Sequence, residues 1–141
     1  MPAEFRETGL RFQYPENWKL QRDDIDAGWI VEVQSPDTAF LIICLRTDEP
    51  KREELLEQAL SDLHDDYPDL EADAVTSTIA GQDALGYDVS FFSLDFTNSC
   101  TMRSFFCPAG TVLVMWQVTD VDAEQIEPVL EAIVASLKVD S

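Results

Sequence analysis

The stretch Cys100-Thr101-Met102-Arg103-Ser104-Phe105-Phe106-Cys107, then Pro108-Ala109-Gly110, then Thr111-Val112-Leu113-Val114-Met115-Trp116-Gln117-Val118, reads as a β-hairpin. Two extended runs flank a short turn, and a short turn joins antiparallel neighbours. The second run is apolar on both faces, with Val112, Val114 and Trp116 on one and Leu113 and Met115 on the other. A strand of that kind belongs inside a sheet covered on both sides.

Working outward, Phe40-Leu41-Ile42-Ile43-Cys44-Leu45 is a second fully apolar run, expected to be buried on both faces if central. Half-buried alternation marks further strands at Gly9–Tyr14 and, through Trp29, Val31 and Val33, at about 29–34. Trp18-Lys19-Leu20 continues in extended form, Asp23, Asp24 and Asp26 make an acidic loop, and Ser35-Pro36-Asp37 is a turn in which Asp can bond back to the backbone. Later strands span about 74–80 and 84–96. The second slips phase near Phe91-Phe92, as a β-bulge would make it do. Gly81-Gln82-Asp83 and Asn98-Ser99 are read as the turns around it.

Two stretches carry helical periodicity. In the first, about 50–66, Leu56, Ala59, Leu60 and Leu63 share a stripe; Asp48 is the expected N-cap and Tyr67-Pro68 the stop. The second, about 123–138, carries Ile126, Val129, Leu130, Ile133, Val134 and Leu137, with Asp122 as cap and Pro128 near its start. Three strands, a helix, four strands and a helix give an α+β fold. An antiparallel sheet of about six to seven strands is flanked by helices, in a single domain over residues 1–141.

Acidic residues number 28 against 9 basic, a net charge of −19, which argues against nucleic acid or an anionic membrane as partner, since both select Lys and Arg. Residues 1–8 carry neither a basic nor an apolar leader segment, so a cytoplasmic protein is expected. Three cysteines do not make a disulfide framework, and the odd spacing of Cys100 and Cys107 puts them on opposite strand faces.

Candidate chemistry is sparse. The single histidine, His64, lies among Asp62, Asp65 and Asp66 with no nucleophile motif such as Gly-x-Ser-x-Gly. Asp69, Glu71 and Asp73 open like a calcium loop, but Ala74 stands where the glycine belongs and Ala80 where the closing glutamate belongs. No metal, cofactor or catalytic residue is therefore assigned. Trp18, Trp29, Phe91, Phe92 and Trp116 read as core aromatics before they read as a ligand groove. An exposed loop beside an aromatic makes Trp18, Asp23, Asp24 and Asp26 the candidate binding residues.

Three ordered fragments resemble PsbP-like domains: Gly9-Leu10-Arg11-Phe12-Gln13-Tyr14-Pro15-Glu16-Asn17-Trp18 their opening, Ile79-Ala80-Gly81-Gln82-Asp83-Ala84 their mid-chain hairpin, and Ile133-Val134-Ala135-Ser136-Leu137-Lys138 their C-terminal helix. The resemblance implies an α/β/α sandwich around an antiparallel sheet. It also implies relatives that bind and assemble: a photosystem extrinsic subunit, a Ran-binding nuclear import factor and chaperones for secreted bacterial effectors. A non-catalytic protein-binding or chaperone module with a protein partner, of basic character, is the functional expectation. A small-molecule carrier and a small carboxylate-dependent enzyme are the alternatives.

Overall fold

Seven strands hydrogen-bond in one antiparallel sheet, and short turns join all but one of its neighbouring pairs. In a computed structural model describing residues 2–140, the chain runs β1 (Pro2–Glu7), β2 (Leu10–Pro15), β3 (Lys19–Ile25), β4 (Gly28–Gln34), β5 (Phe40–Arg46), α1 (Arg52–Asp66), β6 (Glu71–Ile79), β7 (Gln82–Ser93), β8 (Phe96–Cys107), β9 (Gly110–Thr119), α2 (Ala123–Ala135) and β10 (Lys138–Val139). The main sheet has the order β3-β4-β5-β9-β8-β7-β6, and β1, β2 and β10 form a small separate sheet. The expected α+β fold class holds, with the three-stranded sheet as an addition.

Three of the hairpins turn on two residues that both have positive φ: Thr8-Gly9 (53°, 82°), Ala80-Gly81 (53°, 78°) and Leu94-Asp95 (50°, 71°). This is the conformation whose twist matches paired strands. The third contains no glycine. Its position corrects three expectations: Asn98 and Ser99 lie within β8, β7 ends at Ser93, and the β7–β8 register is continuous from Leu85↔Ser104 to Ser93↔Phe96 without a bulge. The apparent phase slip arises because Phe91 is buried against Tyr67, rings stacked at 4.0 Å, while Phe92 is an exposed residue near the hairpin tip. Phe92 is thus not a core aromatic.

The two faces are covered unequally. On one, α1 lays Leu56, Ala59, Leu60 and Leu63 on Val89, Phe91, Cys100 and Met102 of β7 and β8. On the other, α2 and the small sheet bring Leu130, Ile133, Phe5, Leu10 and Phe12 onto Trp29, Val31, Val33, Leu41, Ile43, Leu45, Val112 and Val114. β5 is central as expected, yet only Leu41, Ile43 and Leu45 are buried; Phe40, Ile42 and Cys44 are half-buried because α1 sits over β7–β9.

Local details also depart from expectation. Asp48 does not cap α1, whose N-cap is Lys51; its carboxylate instead accepts two bonds from Arg46, 2.8 Å from Nε and 2.6 Å from Nη2. In the β4–β5 turn Ser35 Oγ, not Asp37, accepts from the backbone, from Asp37 N at 3.2 Å and Ala39 N at 3.1 Å. Asp122 is the N-cap of α2 without a side-chain bond to the helix, and Pro128 lies inside it. The helix stops at Ala135, and Lys138 and Val139 pair with Arg11 and Leu10 instead of extending it.

Candidate functional site

Because α2 packs on β9 and on β2 of the small sheet, the same face of β6, β7 and β8 is left bare. Register puts Asp73, Val75 and Ser77 of β6 on that face, with Gly86, Asp88 and Ser90 of β7, and Ser99, Thr101 and Arg103 of β8. Strand alternation sends Tyr87, Val89, Cys100 and Met102 to the α1 side, so the bare part of this face carries the polar set. Between it and α2 runs an open groove with two adjoining hollows of about 690 and 480 Å³, which share Arg103, Trp116 and Glu131 in their walls. Glu127 and Glu131, one helical turn apart, form its α2 wall, and Lys138 closes one end.

Arg103 is the centre of the floor, its side chain only 12% exposed. Nε donates to Ser77 Oγ at 3.2 Å, Nη1 to the carbonyls of Tyr87 (3.1 Å) and Met102 (2.9 Å), and Nη2 to Asp88 Oδ1 at 2.8 Å. The guanidinium thus ties β6, β7 and β8 together, a use of its planar fork that lysine could not reproduce. It lies beside Gly86, where an added Cβ would stand 2.8 Å from Arg103 Cδ. With Asp88 answering the one guanidinium, Asp73, Glu127 and Glu131 have no ion pair among the described residues. The groove therefore has excess negative charge beside a half-buried indole, a setting that favours cations and flat cationic groups.

The residues singled out from sequence lie elsewhere. Trp18 is buried, 7% exposed, and its amide donates to the Pro15 carbonyl at 3.0 Å, so it holds the β2–β3 turn rather than lining a surface. Asp23 and Asp24 are residues of edge strand β3, not of a loop, and Asp26 is in the turn that follows. All three are exposed, and Asp24 pairs with Arg22 Nη1 at 2.7 Å. His64 is exposed on the last turn of α1, across the sheet from the groove. The calcium-like spacing of Glu71 and Asp73 is strand alternation, and among the described residues no three His, Cys, Asp or Glu side chains are placed to hold a metal ion.

Burial acts on two of the thiols. Cys44, Cys100 and Cys107 are free, burial raises the Cys44 thiol, and burial pushes Cys100 up to about 12. Cys100 and Cys107 do face opposite sides of β8, one in each core cluster.

Comparison with solved structures places this architecture. The cyanobacterial PsbP protein CyanoP from Synechocystis superposes with a TM-score of 0.65 at 12% identity, over 99% of this chain and 92% of that one. The fold is PsbP-like. Two further PsbP-like chains match over nearly their whole length. LpqN, involved in cell envelope biogenesis of Mycobacterium tuberculosis, gives 0.58 at 13% identity, covering 100% of this chain and 90% of that one. PA94, a protein of unknown function from Pseudomonas aeruginosa, gives 0.57 at 12%, covering 99% and 98%. No family model and no curated protein matches the sequence. At such identities the PsbP-like likeness is one of fold alone. Among the described residues no helix is long and apolar enough to cross a membrane.

Proposed function

We infer that this PsbP-like chain is a non-catalytic binding module that receives a basic, extended segment of a protein partner in the groove between α2 and strands β6–β8. The observation that carries this reading is the charge count of the groove. Four carboxylates, Asp73, Asp88, Glu127 and Glu131, line it against two cations, Arg103 and Lys138; Arg103 is matched by Asp88, and among the described residues Asp73, Glu127 and Glu131 make no ion pair and lie around Trp116. A Lys or Arg side chain of the partner supplies the missing positive charge, and the serine and threonine hydroxyls of the floor suit backbone groups of an extended segment. Excess charge of one sign also steers an oppositely charged partner, an effect that fades as salt rises.

The test uses a fluorescein-labelled peptide of alternating lysine and threonine and reads anisotropy at low and high salt. Salt-sensitive binding that falls at least tenfold in E127K/E131K, and stays near wild type in D23K/D24K, supports the groove. Equal loss in both variants would reduce the binding to net charge and remove the site; no binding at low salt would remove the reading altogether.

A further inference from the structure

The main sheet ends in two edges that differ in chemistry. Edge strand β3 carries Lys19, Arg22, Asp23 and Asp24, the charges that keep an open edge from pairing. Edge strand β6 is longer, nine residues, and its run Ala74-Val75-Thr76-Ser77-Thr78-Ile79 holds no charge and no proline. Its acidic residues, Glu71 and Asp73, are confined to one end, and all but Val75 and Ile79 are exposed.

The β6–β7 turn fixes which backbone groups are free. Ile79 and Gln82 close the two-residue Ala80-Gly81 turn as a hydrogen-bonded pair. Residues alternate from there, so Ser77, Val75, Asp73 and Glu71 spend their N–H and C=O groups on β7. Ala72, Ala74, Thr76 and Thr78 direct theirs outward, where no further strand lies among the described residues.

We propose that a second copy of this chain pairs on that edge, β6 against β6, antiparallel about a two-fold axis through Val75. This register matches Ala72 with Thr78 and Ala74 with Thr76, so every outward group of the four residues finds a partner; an axis at Ala74 or Thr76 leaves one of them beyond the end. It also sets the acidic end of each strand against the uncharged end of the other: Asp73 faces Ser77 and Glu71 faces Ile79. Ser77 already accepts from Arg103 Nε and can donate to the Asp73 carboxylate of the opposite copy. The two sheets become one, and the two grooves, each bordered by β6, become one trough across the axis. The pairing is independent of what the groove holds.

A single strand pair makes an interface at the small end of specific contacts, and two chains of charge −19 repel, so the dimer is weak and salt strengthens it. Sedimentation velocity from about 10 µM to about 1 mM, at low and high salt, reads it directly. The expected result is a dimer fraction that grows with both. Thr76→Pro removes an outward N–H and no β7 bond, a position where an edge strand tolerates proline. It is expected to keep the wild-type circular dichroism and to stay monomeric.

Register is tested separately. Facing Val75 residues in a non-hydrogen-bonded pair have Cα atoms about 4.5 Å apart, within disulfide reach. Val75→Cys is expected to form a linked dimer rapidly under a glutathione redox buffer. Thr78→Cys, far from its own copy, and the wild type with its native cysteines are expected not to. A wild-type chain monomeric at the highest concentration in high salt, a Thr76→Pro chain that dimerises like wild type, or Val75→Cys linking no faster than Thr78→Cys would each overturn the proposal.

Discussion

Replacing Gly86 with alanine tests whether the groove floor is built as described. Gly86 sits in the middle of a three-strand ladder, opposite Val75 on β6 and Arg103 on β8. In most strand interiors Gly→Ala gains about 0.5–1 kcal/mol, because glycine loses more freedom on folding. Here the added Cβ would stand 1.9 Å from the Met102 carbonyl oxygen as well as 2.8 Å from Arg103 Cδ. The side chain can swing aside; the carbonyl belongs to the ladder and cannot move without carrying β8 with it. That carbonyl also accepts from Arg103 Nη1, so displacing it strains a charged hydrogen bond. Overpacking of this kind costs about 1–3 kcal/mol, and the impaired bond adds about 1 kcal/mol. The expected net loss is about 2–4 kcal/mol, which for a chain of this size lowers Tm by about 6–15 °C. Differential scanning calorimetry and urea titration read it, with the m-value unchanged. A G86A protein that melts within about 2 °C of wild type contradicts the close approach. A cost that disappears in an R103A background would show that the side chain, not the carbonyl, is the obstacle.

Three other outcomes follow from local geometry. Leu94 and Asp95 turn the β7–β8 hairpin with φ of 50° and 71°, and Leu94 is 88% exposed; L94N/D95G, which suits that turn, should gain about 1 kcal/mol and raise Tm by several degrees, and a fall would show that the Leu94 side chain contributes to the fold. The Asp48 carboxyl is held below its usual range by its bonds to Arg46, so its stabilisation is full above the unfolded pKa and is lost as pH falls through the folded one; Tm of D48N should depend less steeply on pH below about 4 than wild type, and parallel curves would remove the pair from the account. Cys100, buried and raised to about 12, should escape iodoacetamide at neutral pH while denaturant exposes all three thiols, as peptide mass spectrometry would show; rapid native labelling of Cys100 would contradict its burial.

What the sequence revealed of the fold was whatever local chemistry announces. The β8–β9 hairpin, the β4 alternation and the stop of α1 at Tyr67-Pro68 all carry their own signals, and Tyr67 is indeed the C-cap. Leu94-Asp95 carries none, since the turn it makes prefers glycine or asparagine, and its absence displaced the neighbouring boundaries. β3 resembles a loop at its far end because its half-buried alternation, Leu20 and Arg22, stops there, and the exposed Asp23 and Asp24 look like loop residues. β10 is illegible because its pairing partner, β2, receives Lys138 opposite Arg11 from the far end of the chain; β1 pairs locally, across Thr8-Gly9, but buries only Phe5 and so shows little apolar pattern. The fragments that carry the PsbP-like resemblance prove to be structural. Trp18 is buried beneath a turn, Ile79 and Ala84 are buried beside another, and Ser136 Oγ accepts from Gln13 N at 2.8 Å to fix α2 to β2. Motifs that build the fold predict the fold, which is why this resemblance extended no further.

The groove was illegible for a different reason: it is made by an offset, not by a motif. The two halves of the sheet are covered on opposite faces, β7–β9 by α1 and β4, β5 and β9 by α2 with the small sheet. Each half therefore keeps one open face. On β4 and β5 that face mixes half-buried Ile30, Phe40, Ile42 and Cys44 with Glu32, Gln34 and Arg46; on β6–β8 it is Asp73, Ser77, Asp88, Ser90, Ser99, Thr101 and Arg103. A polar face cannot hold a helix by apolar burial, so α2 has no reason to spread across it, and Glu127 and Glu131 are left as a wall beside open space. One local signal did exist. Arg103 shares a face of β8 with Phe105, the face continued on β9 by Val112, Val114 and Trp116, and an arginine at an inward register between apolar neighbours must find partners or face a cavity. It does both: its bonds to Ser77, Tyr87, Met102 and Asp88 satisfy the guanidinium, and the hollow above it is where the sheet leaves the core and becomes a surface.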